Sequence, residues 1–158
     1  MPNLTFMTVQ FFHLTALALW VGGIVGIGIV AAPSIFKLSA SRTLAGEIVG
    51  NILEKFGKLT LACMVVLAIT SLIKYSLWET KNPWILTRYG VLLLMAAATI
   101  FSNFVVSPKM AAIKEKLGSF DTTQKEDPLR VSFNNYHKVS SSLMLLSLAC
   151  GLLALFLA

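Results

Sequence analysis

Tyr89-Gly-Val-Leu-Leu-Leu-Met-Ala-Ala-Ala-Thr-Ile-Phe-Ser-Asn-Phe-Val-Val-Ser-Pro108 is a run without a single charge. At about 1.5 Å per residue, a helix of this length covers about 30 Å, the hydrocarbon thickness of a bilayer. Three more stretches are equally bare: Met1 to Phe36, Leu59 to Ile73 and Val139 to Ala158. Every charged residue falls between them, in clusters from Lys37 to Lys58, Lys74 to Arg88 and Lys109 to Lys138. Of the 158 residues, 56% are hydrophobic and 13% charged, against about 25% charged in an ordinary soluble domain. The pattern predicts an all-α fold: a four-helix transmembrane bundle filling residues 1–158 as a single domain, with spans near 6–32, 57–77, 84–107 and 134–157.

The first span lacks the cationic start of a secretory signal and stays apolar about twice as long as a signal's apolar stretch, so it reads as an anchor. It is expected to end at Pro33, which removes a helical hydrogen bond. On it, Ala18, Gly22 and Gly26 recur every fourth residue as a close-packing face. A second face carries Gln10, His13, Leu17 and Trp20. Leu44, Ile48, Ile52 and Phe56 give residues 41–56 the pattern of an amphipathic helix lying at the interface between spans one and two. Lys58 and Lys74 bracket the second span, and their stems are expected to snorkel to the headgroups.

Asn82-Pro83 and Asp127-Pro128 read as N-caps followed by proline at the first helical position. Span three places Tyr89, Leu92, Ala96, Thr99 and Asn103 on one face, its polar members turned into the bundle. Pro108 is read as the membrane exit, with helical spacing continuing to Gly118 and a polar, flexible loop after it. The connections after spans one and three carry ten cations and the connection between spans two and three carries Lys74, Lys81 and Arg88. The positive-inside rule then puts both termini outside the cytoplasm. Net charge +6 fits cationic loops facing an anionic leaflet and calls for no nucleic acid. The expected partner is the lipid bilayer, with other membrane proteins or a homo-oligomer as further candidates. Cys63 and Cys150 read as buried thiols, assigned neither a disulfide nor a metal.

The fourth helix aligns Phe133, His137, Ser140, Met144, Ser147 and Gly151 in one stripe. Such residues on a membrane helix either satisfy neighbouring helices in an interhelical hydrogen-bond network or, as ionisable residues inside spans tend to do, mark a path for a proton, metal ion or small solute. The candidate ligand-binding residues are therefore His137, Ser140, Asn103 and Tyr136 at one end of the bundle, and His13 with Trp20 toward the other. His13 and His137 fall in opposite leaflets, about 15–20 Å apart along the normal, too far to share one haem iron or copper ion. A single histidine with Met144 or Met95 is the remaining route to copper or haem, and the sequence requires no cofactor. No phosphate loop, HExxH or nucleophile motif appears, which favours a non-enzyme.

The segment from Lys125 to Leu143 resembles the opening of the last span in the transmembrane protein 205-like family, a domain of unknown function. His13, Trp20, Gly22, Gly23, Phe133, Tyr136, His137, Ser140 and Ser141 sit at matching positions. The histidine and tryptophan-glycine start also resembles copper-resistance D-like four-span proteins. The resemblance implies a four-helix membrane protein without an agreed activity, one member of which is associated with resistance to a platinum drug. The functional expectation is a small-solute or metal-handling membrane protein. The alternatives are a haem- or copper-binding redox protein and a structural subunit of a larger membrane complex.

Overall fold

A computed structural model describes residues 3–80 and 82–158. Lys81, counted among the cations of the second connection, lies outside the described residues. Four long apolar helices make up the fold: α1 (Leu4–Leu38), α2 (Arg42–Leu77), α3 (Pro83–Leu117) and α4 (Pro128–Phe156). The first three run to 35 or 36 residues, about 52 Å at 1.5 Å per residue, so each overhangs a hydrocarbon core of about 30 Å. The amphipathic segment expected at 41–56 leads directly into the second span. It forms the first turns of α2, which continues without a break into the span.

Side-chain caps start every helix. Asn3 accepts from the Thr5 amide, Ser41 from that of Leu44, Asn82 from that of Trp84 and Asp127 from those of Leu129 and Arg130, satisfying amide donors that a helix start leaves free. Neither Pro33 nor Pro108 ends its helix. A π-turn over Gly26–Ala31 precedes Pro33 and another over Ser102–Val106 precedes Pro108. In each the amide after the turn reaches five residues back, Ala32 to Ile27 and Ser107 to Ser102. The wider turn absorbs the missing donor and the ring's clash with the preceding turn, so the helix passes through. Gly118, at φ 72°, closes α3 in a conformation that favours glycine.

α1 packs along α2 and α4, and α3 packs along α4, while the α2–α3 seam is the loosest of the bundle. The core joins Leu17, Trp20 and Ile24 of α1 to Cys63 and Leu67 of α2, Met95 of α3, and Cys150 and Ala154 of α4. Both cysteines are free thiols. Outward faces are apolar, with Phe11, Leu72, Leu93 and Leu145 exposed, as lipid contact requires.

The inward face of α1 is the stripe containing His13, Leu17 and Trp20. Ala18 and Gly22 are exposed, and a methyl added at Gly22 or Gly26 would meet nothing within 4 Å, which corrects the close-packing face read from the sequence. Polar atoms decide the rotation: His13 must find a partner away from lipid, whereas a small residue tolerates either side. Close approaches occur at Gly23, against the Phe56 ring, at Gly57, against the Asn103 side chain, and at Gly151 of α4, against Val21.

Candidate functional site

The bundle end where α1 begins and α4 ends holds a buried polar network drawn from all four helices. α1 supplies Gln10 and His13, one turn apart. α2 supplies Thr70, Ser71 and Lys74, and α3 supplies Arg88 and Tyr89. The short α2–α3 connection adds Glu79, and α4 contributes the Leu157 carbonyl. On α2 the buried positions Thr60, Cys63, Leu67, Thr70 and Lys74 advance by threes and fours, so one continuous inward stripe carries Lys74 into the interior.

Lys74 therefore does not snorkel. It is 3% exposed, its ammonium donates to Gln10 Oε1 at 2.7 Å, and Glu79 Oε1 lies 3.8 Å away. Lys58, at the other end of the same span, is exposed and pairs with Glu54 one turn back. Arg88, 4% exposed, donates to Glu79 Oε1, to the Tyr89 hydroxyl at 3.1 Å and to the Leu157 carbonyl at 3.4 Å. The single Tyr89 hydroxyl proton lies between Glu79 Oε2 and the Ser71 carbonyl. Burial alone would raise the Glu79 pKa. Hydrogen bonds from Arg88 and Tyr89 and the charges of Arg88 and Lys74 outweigh it and hold the carboxyl below its ordinary range. Two buried cations thus face one carboxylate, leaving one positive charge in excess.

His13 is 0% exposed and bonds through Nδ1 to Thr70 Oγ1 at 2.9 Å. The Thr70 hydroxyl in turn bonds back to the Val66 carbonyl at 2.8 Å. Among the described residues, His13 Nε2, Arg88 Nε and the Ser71 hydroxyl are buried without a hydrogen-bond partner. Buried polar groups rarely stay unpaired, so three in one network are a feature to explain.

At the opposite end, His137 is exposed and stacks on Phe133, centroids 6.4 Å apart. Tyr136 and Ser140 are half-buried, and Lys109 lies over the Tyr136 ring at 5.6 Å. The half-buried Asn103 donates to its own helix, at the Thr99 carbonyl 3.1 Å away. The stripe on α4 turns fully inward only further along, at Ser147 and Gly151. Of the sequence-derived candidates, then, only His13 joins the buried network, while Trp20 sits two turns deeper in the core. Lys74, Glu79 and Arg88 were missed because charges at span ends read as interfacial. The signal that would have found Lys74 is its register with Cys63 and Thr70.

The loop after α3 is tied down rather than free. Asp121 accepts from the Ser41 hydroxyl at 2.5 Å and from the Arg42 and Thr43 amides at 2.9 and 3.3 Å, covering the start of α2. The Arg130 guanidinium donates to the carbonyls of Phe120 and Thr123.

A shared haem or metal does not fit these residues. His13 is tied to the last turns of α2 and His137 stacks beside the α3–α4 loop, and among the described residues no three His, Cys, Asp or Glu side chains gather.

The fold and the buried network define a multi-pass α-helical membrane protein with an ionic cluster at one end of its bundle. The chain belongs to the family described as a domain of unknown function, DUF4149, whose model matches residues 15–119. The matched stretch takes in Lys74, Glu79, Arg88 and Tyr89 and stops before α4. No curated protein and no solved structure matches the chain.

Proposed function

We propose that this protein handles a small anionic solute at the network of Gln10, His13, Lys74, Glu79, Arg88 and Tyr89. The observation that carries the reading is the buried excess of positive charge: Lys74 and Arg88 share the one carboxylate of Glu79. An uncompensated charge in a low-dielectric interior is costly, and a bound anion removes that cost. Arg88 Nε and the Ser71 hydroxyl, without partners among the described residues, offer donors that an oxyanion or halide accepts. The same excess disfavours a metal cation at this end. The ten-to-three cation asymmetry of the connections supports an orientation in which the network opens away from the cytoplasm. We also propose a finer placement near the transmembrane protein 205-like family, which the likeness of residues 125–143 and of His13, Trp20, Gly22 and Gly23 supports.

The test is thermal unfolding of the detergent-purified protein in sodium chloride, nitrate or gluconate at equal ionic strength. A ligand that binds only the folded state at 100 times its Kd stabilises by about 2.7 kcal/mol. Tm is expected to rise in chloride or nitrate above the gluconate control, and the rise to vanish in Lys74→Gln. Identical wild-type Tm values in all three salts would overturn the reading.

A further inference from the structure

Thr70 favours one tautomer of His13. Its hydroxyl has one proton, committed to the Val66 carbonyl at 2.8 Å, with the Leu67 carbonyl at 3.2 Å as a second acceptor. With its proton on Val66, Thr70 Oγ1 is left to accept from the imidazole, which favours the tautomer with the ring proton on Nδ1 and a bare lone pair on Nε2. Among the described residues that lone pair is buried and unpartnered. Gln10 lies one turn before His13 on the same helix, Thr70 bonds the ring from α2, and the charged groups that reach it are Lys74 on α2, Glu79 in the connection and Arg88 on α3. α4 adds the Leu157 carbonyl through Arg88.

An anion arriving alone would engage the donors of this network and leave Nε2 unpaired, because an anion has no proton to give it. From this we infer that the site, read as above as an anion site, takes its anion together with a proton, and that the proton binds His13 Nε2. The proton comes from water, forms an N–H bond at Nε2 and breaks no other bond of the protein. The ring becomes an imidazolium whose new N–H donates to the anion, while Nδ1–H keeps Thr70. Buried charge is unchanged, since the added positive and negative charges cancel. Anion and proton therefore each favour the other's binding.

Nitrate and chloride carry no proton between pH 5 and pH 8, so they isolate the protein's own uptake. The experiment uses the full chain in detergent with 15N-labelled histidine, the His13 signals assigned by their loss in His13→Asn. That variant keeps a donor toward Thr70 and lacks the titrating nitrogen. Without added anion, Nδ1 is expected protonated and Nε2 bare. On nitrate addition Nε2 gains a proton, and a weakly buffered solution loses about one proton per nitrate bound. Nitrate affinity falls about tenfold per pH unit as the pH rises and protons grow scarce. His13→Asn is expected to bind nitrate more weakly, its residual binding taking up no proton and lacking this pH dependence. A protonated Nε2 before anion is added would overturn the inference. So would nitrate bound without proton uptake, a result that leaves the anion reading standing. Failure of both nitrate and chloride to bind the wild-type protein removes the anion reading and the inference together.

Discussion

His13 and Thr70 are joined across the α1–α2 interface by a single buried hydrogen bond, 2.9 Å from Nδ1 to Oγ1, and that bond ties the only ionisable residue of α1's apolar run to the inward stripe of α2. Replacing Thr70 by Val keeps the shape and removes the acceptor, leaving the imidazole N–H unpaired. A buried donor without a partner costs about 1–3 kcal/mol. Thr70→Val is expected to unfold earlier by this amount in a denaturant titration, whereas Thr70→Ser, which retains the hydroxyl, stays near wild type.

Glu79 holds two buried cations at once. Glu79→Gln removes the charge and leaves Lys74 and Arg88 facing each other without compensation, a change expected to cost about 3 kcal/mol. Adding Lys74→Met should recover part of the loss, and a double-mutant cycle of the two measures the coupling. The sign with pH follows from the lowered carboxyl pKa. Its stabilisation is fully present above the unfolded value of about 4.3 and is lost as the pH falls through the lower folded value. Thermal melts between pH 6 and pH 3 should therefore show a steeper decline for wild type than for Glu79→Gln.

The spans were legible because charge is excluded from hydrocarbon whatever the partners are, so four bare runs in the sequence sufficed. The Asn82-Pro83 and Asp127-Pro128 starts were legible for a local reason too, since cap and first turn are adjacent in the chain. What the sequence did not disclose depends on distant groups. Lys74 turns inward because Gln10, 64 residues away, supplies an acceptor, and a lysine at a span end carries no mark of that choice. Pro33 looked like a stop because the widened turn before it has no sequence signature of its own. Glycines at 22 and 26 had the right spacing for a packed face, but small size permits contact without requiring it.

The glycines of α1 and α2 therefore separate into two groups by experiment. At Gly57 a methyl would press on the Asn103 side chain, and at Gly23 on the Phe56 ring. Gly57→Ala and Gly23→Ala are expected to lower Tm, in the range of about 1–3 kcal/mol for overpacking. Gly22→Ala and Gly26→Ala add a methyl in open space, and alanine's better helix propensity should leave Tm unchanged or slightly raised.

Orientation has a direct assay, because Cys63 and Cys150, the only two cysteines, are buried. A cysteine introduced at the exposed Thr122 lies on the strongly cationic side of the bundle and is expected to resist an impermeant thiol reagent added to intact cells. Labelling of intact cells would reverse the topology and turn the buried network toward the cytoplasm.

Asp121 and the start of α2 make the final prediction. The Ser41 hydroxyl beside Asp121, together with the Thr43 and Arg42 contacts, brings its carboxyl down to about 2. These donors prefer the ionised form, so the tether is fully present above the ordinary aspartate value of about 3.9 and is lost as the pH falls through about 2. The Arg42 and Thr43 amide resonances, whose protons Asp121 accepts, should titrate together with a midpoint near that lower value. At neutral pH, Asp121→Asn replaces the carboxylate by an amide with one acceptor oxygen, which cannot serve three donors as strongly. Hydrogen exchange at Arg42, Thr43 and Phe120 is expected to quicken in this variant, while exchange in the core around Trp20 and Met95 stays as in wild type. Equal exchange at Arg42 and Thr43 in the two proteins would show that Ser41 alone holds the helix start and that the loop rests there without securing it.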